Sequence, residues 1–325
     1  MSRTAMIVLV SLLAYSLLGL AVSIVAAILW RTRAIAPANL PPVARARRLL
    51  QLRLLPSVAA AAITLFVITP AFAIFEPSGG GEEVGPILKI VSVVALILIG
   101  ASVAGAARSL WLTRRLEHQW LRASDPIDAS RAAGLHAFVI QSASPMVALV
   151  GVFEPKLMAA RTVVDACTPE EIACIVAHER GHCDARDNLK RWIMASLPDV
   201  LRWTPIHNQI VDAWHHAAED AADDAATGGH AVARAELAAL LLKIVKLAPA
   251  PSWNAAVVSP FVEHHGLERR VRRLLQPEIE PPAPLAILPT IAVAALAIAV
   301  VSAMSSLATL ERIFHALGKL VAFGR

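Results

Sequence analysis

Four long apolar stretches set the pattern of this chain, at about residues 6–30, 54–75, 87–112 and 285–310. A helix needs about twenty apolar residues to cross a bilayer core, and each stretch is long enough. The first is too long for a signal-peptide core and has no convincing cleavage site after it. Lys89, near the start of the third, can snorkel to the interface. Between the third and fourth stretches the pattern changes. Residues 113–133 read as a charged helical stem, and 135–141 and 146–152 as paired strands separated by Ser142-Ala143-Ser144-Pro145. Glu154-Pro155 begins a third extended piece that runs to about Ala160. Its exposed edge would suit an extended substrate backbone, added as a further strand.

Two helices follow. Thr168 as N-cap, Pro169 at the first helical position and Glu170 and Glu171 in the first turn signal one start. Thr168 and Glu171 also have capping-box spacing. An alanine-rich stretch over about 206–226 reads as the other helix. The expected fold is a mainly α-helical integral membrane protein with four transmembrane helices and an α+β domain between spans three and four. Its parts are residues 1–112, three spans; 113–283, the domain; and 284–325, the last span with a short tail.

Charge orients the spans. Residues 31–53 carry Arg31, Arg33, Arg45, Arg47, Arg48 and Arg53 and no acid, whereas 76–86 carry Glu76, Glu82 and Glu83 and no base. Positive loops stay in the cytoplasm. The N-terminus is therefore expected outside, residues 113–283 in the cytoplasm and the C-terminus outside. Arg114 and Arg115 after span three, and Arg269, Arg270, Arg272 and Arg273 before span four, agree. Composition adds weight: 57% of residues are hydrophobic, 17% are charged, and mean hydropathy is +0.60. The pI of 9.5 follows from these flanking arginines, which suit anionic lipid. No basic helix with base-reaching side chains is evident, so direct nucleic-acid binding is not expected. Cys167, Cys174 and Cys183 are odd in number and imply no disulfide framework. Cys174 lies one turn before His178, where a small core residue is the simpler reading than a ligand.

His178-Glu179-Arg180-Gly181-His182 carries the chemistry. Helix positions i and i+4 share a face, so the two imidazoles can hold one Zn²⁺ with Glu179 beside the open coordination position. Zinc lowers the pKa of a bound water towards about 7, and a neighbouring carboxylate can take its proton. The same residues could instead be a buried helix with two hydrogen-bonded histidines, but a glutamate between them would need compensation. A catalytic zinc takes three protein ligands. Glu219-Asp220-Ala221-Ala222-Asp223-Asp224 offers the third. Glu219 and Asp223 lie one turn apart, which suits a ligand and a carboxylate that fixes a ligand histidine's tautomer. Asp220 with Asp224 is the same pair rotated by one residue, and a solvated helix face is a third possibility.

His178 and His182 followed by Glu219-x-x-x-Asp223 resembles the gluzincin arrangement. With Pro155-Lys156-Leu157, Asp187 after the histidines and Trp203-Thr204-Pro205, the chain looks like the BlaR/MecR type of membrane zinc metallopeptidase. That resemblance implies a gluzincin-like cytoplasmic zinc domain in the bacterial inner membrane, one Zn²⁺ per chain and regulatory proteolysis of a repressor. Only about fifteen residues follow the fourth stretch, so the extracellular penicillin-binding sensor of that family is not expected, and a separate sensor protein would supply a signal. Phe261-x-x-His264-x-x-Leu267-Glu268-x-Arg270-Val271 is similar to HtpX-type and CAAX-protease-type membrane gluzincins, except that His265 replaces the usual proline. That likeness implies quality-control proteolysis as the alternative.

A tetrahedral intermediate also needs an electrophilic partner. Gluzincins often use tyrosine or histidine, but the one tyrosine, Tyr15, lies in the first stretch. His264 is the candidate, with Arg270 or His207 behind it; His215 and His216 read as surface or supporting residues. Trp192, Trp203 and Trp214 near Lys190, Arg191 and Arg202 suit either the headgroup layer or the core. A non-catalytic signalling protein retaining the zinc module is a rival, but a structural site needs no Glu179. A zinc transporter would want ionisable residues within its spans. The expected function is therefore a zinc endopeptidase acting on a cytoplasmic or membrane protein. Zinc sits on His178, His182 and Glu219, Glu179 is the base, and Asp223 holds a ligand histidine.

Overall fold

The computed structural model describes residues 2–32, 40–75, 85–127, 134–142, 145–247, 258–260 and 266–276. Among these described residues, three helices are long and apolar enough to cross a membrane. Helix α1 spans Arg3–Arg31. Helix α2, Pro42–Ile63, continues through a π-helical turn, Thr64–Ile68, into α3, Thr69–Phe75. Helix α4 spans Pro86–Leu121. Pro42 and Pro86 each open a helix where a missing N–H costs nothing. The π turn has a local cause: Pro70 cannot donate into the helix, and the turn before it widens. Exposed side chains such as Phe66, Ile90 and Ile97 give these helices the apolar outer surface that lipid requires. The expected fourth span lies outside the described residues.

Two boundaries differ from the apolar pattern. Helix α2 begins at Pro42, well before the apolar run, so the arginine-rich segment is largely helix. Helix α4 continues through the expected stem and is 36 residues long, about 54 Å. That exceeds a bilayer core, so its last turns stand clear, where Glu117 pairs with Lys156.

The domain holds a five-stranded sheet: β1, Ser124–Pro126; β2, Ala137–Ile140; β3, Val147–Val150; β4, Lys156–Ala160; and β5, Val258–Pro260. Their order is β1-β2-β4-β3-β5. The expected pairing of the first two apolar runs is wrong, because β4 lies between them, parallel to β2 and antiparallel to β3. The turn after β3 decides this. Gly151 has φ 117°, and a Cβ there would sit 2.9 Å from the Glu154 carbonyl oxygen. Only glycine adopts that conformation freely, so the chain folds straight back as a β3–β4 hairpin. With both edges of β4 filled, it offers no edge to a substrate, and that expectation fails too. Strand β3 is buried at all four positions, as a strand covered on both faces must be.

Five helices complete the domain: α5, Arg161–Ala166; α6, Pro169–Ala185; α7, Asp187–Ser196; α8, Pro205–Thr227; and α9, Ala231–Leu247. A short α10, Leu267–Leu275, follows. The sheet packs Leu149, Leu157 and Met158 against Ile175 and Val176 of α6 and Leu237 and Leu241 of α9. Each such side chain contributes roughly 1.5–3 kcal/mol by leaving water. A second cluster joins the membrane helices to the domain: Ala46 and Leu49 of α2 meet Met194, Trp214 and Ala217. The three tryptophans divide accordingly. Trp214 is fully buried, Trp203 is 70% exposed, and Trp192 donates to the Ala106 carbonyl of α4 at 3.2 Å.

Candidate metal centre

The centre is built where α6 crosses α8. Helix α6 starts with the full capping box: the Glu171 N–H donates to Thr168 Oγ1 at 3.3 Å, and the Thr168 N–H to Glu171 Oε2 at 2.8 Å. Gly181 permits a close crossing, since a Cβ there would lie 3.2 Å from Ala222 Cα and 3.4 Å from Ala225 Cβ. The alanines of α8 leave the same room. Side chains flanking the contact are thereby forced together.

His178, Glu179 and His182 are all buried. His178 Nε2 lies 3.2 Å from His182 Nε2. Glu219 closes the group, with Oε2 3.5 Å from His178 Nε2 and Oε1 3.4 Å from His182 Nε2. One ligand atom from each of the three residues lies within 4.8 Å of the others. Behind each imidazole stands a carboxylate. His178 Nδ1 is 3.1 Å from Asp223 Oδ1, and His182 Nδ1 is 2.9 Å from Asp187 Oδ2. A carboxylate accepts, so each Nδ1–H donates to its carboxylate, and each Nε2 is turned toward the other ring and Glu219. A cation held in that space would take the place of the proton that Glu219, Asp187 and Glu179 otherwise favour on His182. The donor set fits a metal ion such as Zn²⁺.

The charge balance agrees. Glu179, Glu219 and Asp223 face one buried guanidinium, and Asp187 pairs with Lys190 at 3.1 Å. Arg270 donates to Asp223 through Nε at 3.0 Å and Nη2 at 2.5 Å, and reaches Glu219 Oε2 through Nη1 at 2.9 Å. Burial works against a charge on His182, but Glu219, Asp187 and Glu179 override it and lift the ring to about 10. Burial likewise opposes ionisation of Asp223 and Glu219, yet Arg270 and the histidines hold Asp223 at about 2 and Glu219 well below the usual carboxylate range. Glu179 differs. Burial raises it despite both histidines, and neither of its buried oxygens has a hydrogen-bond partner among the described residues. A carboxylate with raised pKa and free lone pairs is equipped to take a proton.

The alternative acidic pair is settled by its partners. Asp220 Oδ2 accepts from Arg45 at 2.5 Å and Asp220 Oδ1 from Arg269 at 2.6 Å, while Asp224 pairs with Arg273 at 2.6 Å. Both serve as tethers. His207 also stands apart, because it accepts from Arg53 Nε at 2.8 Å at the far end of α8. His264 lies outside the described residues. Cys174 packs against the core and is not part of the His178-His182-Glu219 group.

Sequence reasoning missed two roles. Asp187 follows His182 by five residues, too far round a continuous helix. It reaches back because Arg186 takes a left-handed conformation, φ 55°, between α6 and α7. Arg270, expected as a topology charge or a support behind His264, is 4% exposed and clamps Glu219 and Asp223 instead. Beside His182 opens a cavity of about 250 Å³, lined by Leu149, Val152, Phe153, Pro155 and Leu189. Asn188 fixes its wall by donating to the Leu149 and Gly151 carbonyls at 3.1 and 2.9 Å.

Apolar spanning helices joined to a buried centre of two histidines and a glutamate define a membrane protein with a candidate metal site. The family model described as BlaR1 peptidase M56 matches residues 6–274, and the chain belongs to that family. It is thus a membrane-associated metallopeptidase, in agreement with the BlaR/MecR-type resemblance. No curated protein matches the chain.

Proposed function

We propose that this chain is a zinc endopeptidase of gluzincin type that cleaves a cytoplasmic or membrane protein, in regulatory proteolysis of a repressor. His178, His182 and Glu219 hold one Zn²⁺. Asp223 and Asp187 fix the tautomers of the two histidines, and Arg270 fixes Glu219 and Asp223. Held there, zinc would supply a Lewis acid that lowers the pKa of a bound water and polarises a carbonyl. Glu179 takes the proton from the attacking water and passes it to the leaving amine. The observation that carries this reading is the buried Glu179 carboxylate, without hydrogen-bond partners among the described residues, beside two imidazoles whose Nε2 atoms converge with Glu219.

The domain, residues 113–283, lies in the cytoplasm of the bacterial inner membrane, with the N-terminus and, beyond a fourth span, the C-terminus outside. Arg45 on Asp220 and Arg53 on Asp199 support this, because they place the arginine-rich segment on the same side as the domain. A separate sensor protein supplies the signal; crosslinking under inducing stress that recovers no partner would remove that element. The enzymatic test compares wild type with Glu179→Ala in liposomes, reading bound zinc and casein cleavage. Zinc retained with cleavage lost in the variant is expected. Zinc absent from both proteins would overturn the assignment.

A further inference from the structure

A peptide carbonyl gains negative charge on its oxygen as water adds, and a fixed donor is needed there. His215 has the placement and the proton. It lies one turn before Glu219 on α8, as Glu219 lies one turn before Asp223, so the three share a helix face. Helix α7 supports it from the other side. Asp187 holds His182, and one turn later Arg191 Nη2 lies 3.1 Å from His215 Nδ1. A guanidinium only donates, so Nδ1 must accept and the single ring proton must sit on Nε2. The residue is partly exposed, so the ring is not sealed from a bound peptide.

We infer that His215 is a catalytic residue of this centre, its Nε2–H donating a hydrogen bond to the scissile carbonyl oxygen as the tetrahedral intermediate forms. As the water oxygen bonds to the carbonyl carbon, the C=O π pair moves onto oxygen, and the imidazole keeps its proton throughout. Arg191 is a positioning residue that sets the tautomer. Burial, then the neighbouring Arg191 cation, hold the ring at about 3, against the pull of Glu219 and Asp187. It is therefore an uncharged donor at working pH, and the fields of both carboxylates reach it.

This inference rests on the peptidase reading, and the experiment separates the two. Wild type, His215→Ala, His215→Gln and Arg191→Met are compared as full chains in liposomes. The readouts are bound zinc, kcat/KM on labelled casein, and affinity for a phosphoramidate dipeptide whose anionic oxygens mimic the intermediate. Removing one oxyanion donor costs about 10²–10³ in rate. His215→Ala is expected to keep its zinc, lose about that factor in kcat/KM and bind the phosphoramidate about 10²-fold more weakly. His215→Gln, which restores an N–H donor, should recover part of both. Nitrogen-15 NMR of histidine-labelled, zinc-free protein in micelles should show an Nε2–H tautomer for His215 that Arg191→Met abolishes. Cleavage and phosphoramidate affinity unchanged in His215→Ala would overturn this inference and leave the peptidase standing. An Nδ1–H tautomer would overturn it as well. A wild type that neither cleaves casein nor binds the phosphoramidate would take down the peptidase reading, and this inference with it.

Discussion

Arg53→Ala should destabilise the folded chain by about 3–5 kcal/mol, the range for breaking a buried pair by removing one partner. Arg53 is 0% exposed, and its Nη1 lies 2.7 Å from Asp199 Oδ2. It also donates to His207 Nδ1 at 2.8 Å and to the Met194 carbonyl at 3.2 Å. Alanine leaves the Asp199 carboxylate buried, with Ser57 Oγ at 2.7 Å and the Arg202 N–H at 3.2 Å as its remaining donors. A hydrogen bond to a charged group is worth about 1.5–3 kcal/mol, and the vacated guanidinium space adds a cavity cost. The bond to His207 also ties α2 to the start of α8, the helix that carries Glu219, so zinc should be lost at lower chelator concentration. The assay is denaturant unfolding in micelles followed by tryptophan fluorescence, with zinc release read in parallel. Arg53→Met combined with Asp199→Leu should be more stable than Arg53→Ala, because no lone buried charge remains. An exposed loop arginine would cost less than about 0.5 kcal/mol. A value that small for Arg53→Ala would refute the buried bridge.

Three further outcomes are expected. Asp187→Ala should weaken zinc binding about 10–100-fold, the usual penalty for losing the carboxylate behind a ligand histidine, measured by competition with a chelator. Glu179 must be ionised to accept a proton and its pKa is raised, so kcat/KM should fall with decreasing pH along a limb above 4.5, the ordinary value. A limb at or below that value would remove the buried carboxylate from the mechanism. Gly181→Ala should push α8 from α6 and weaken zinc retention despite the better helix propensity of alanine, because the nearest obstacle, at 3.2 Å, is the Ala222 Cα. Unchanged zinc affinity in that variant would show that the crossing relaxes without cost.

Local chemistry made several parts of this protein legible from the sequence. The first three apolar stretches form helices long and apolar enough to cross a membrane, because their length must match the bilayer, and the capping box at Thr168 and Glu171 formed as its spacing required. His178 and His182 face one another because they sit one turn apart. The strand order was not legible. It turned on the positive φ of Gly151, which sent β4 between two strands that pattern alone would have paired. The roles of the arginines were equally hidden, since a charge that orients a loop and a charge that clamps a buried carboxylate look identical in one dimension.

What the sequence determined by itself was therefore what is set within a turn or two of helix: the first three apolar helices, and the placing of His178 and His182 on one face with Glu179 between them in sequence. Only the tertiary structure chose Glu219 and Asp223 over Asp220 and Asp224, because a helix repeats every 3.6 residues and both pairs satisfy its period equally. The choice is made by the rotation of α8 about its own axis. Packing of its alanines on Gly181 fixes that rotation, and the arginines of α2 and α10 hold the other pair of carboxylates away.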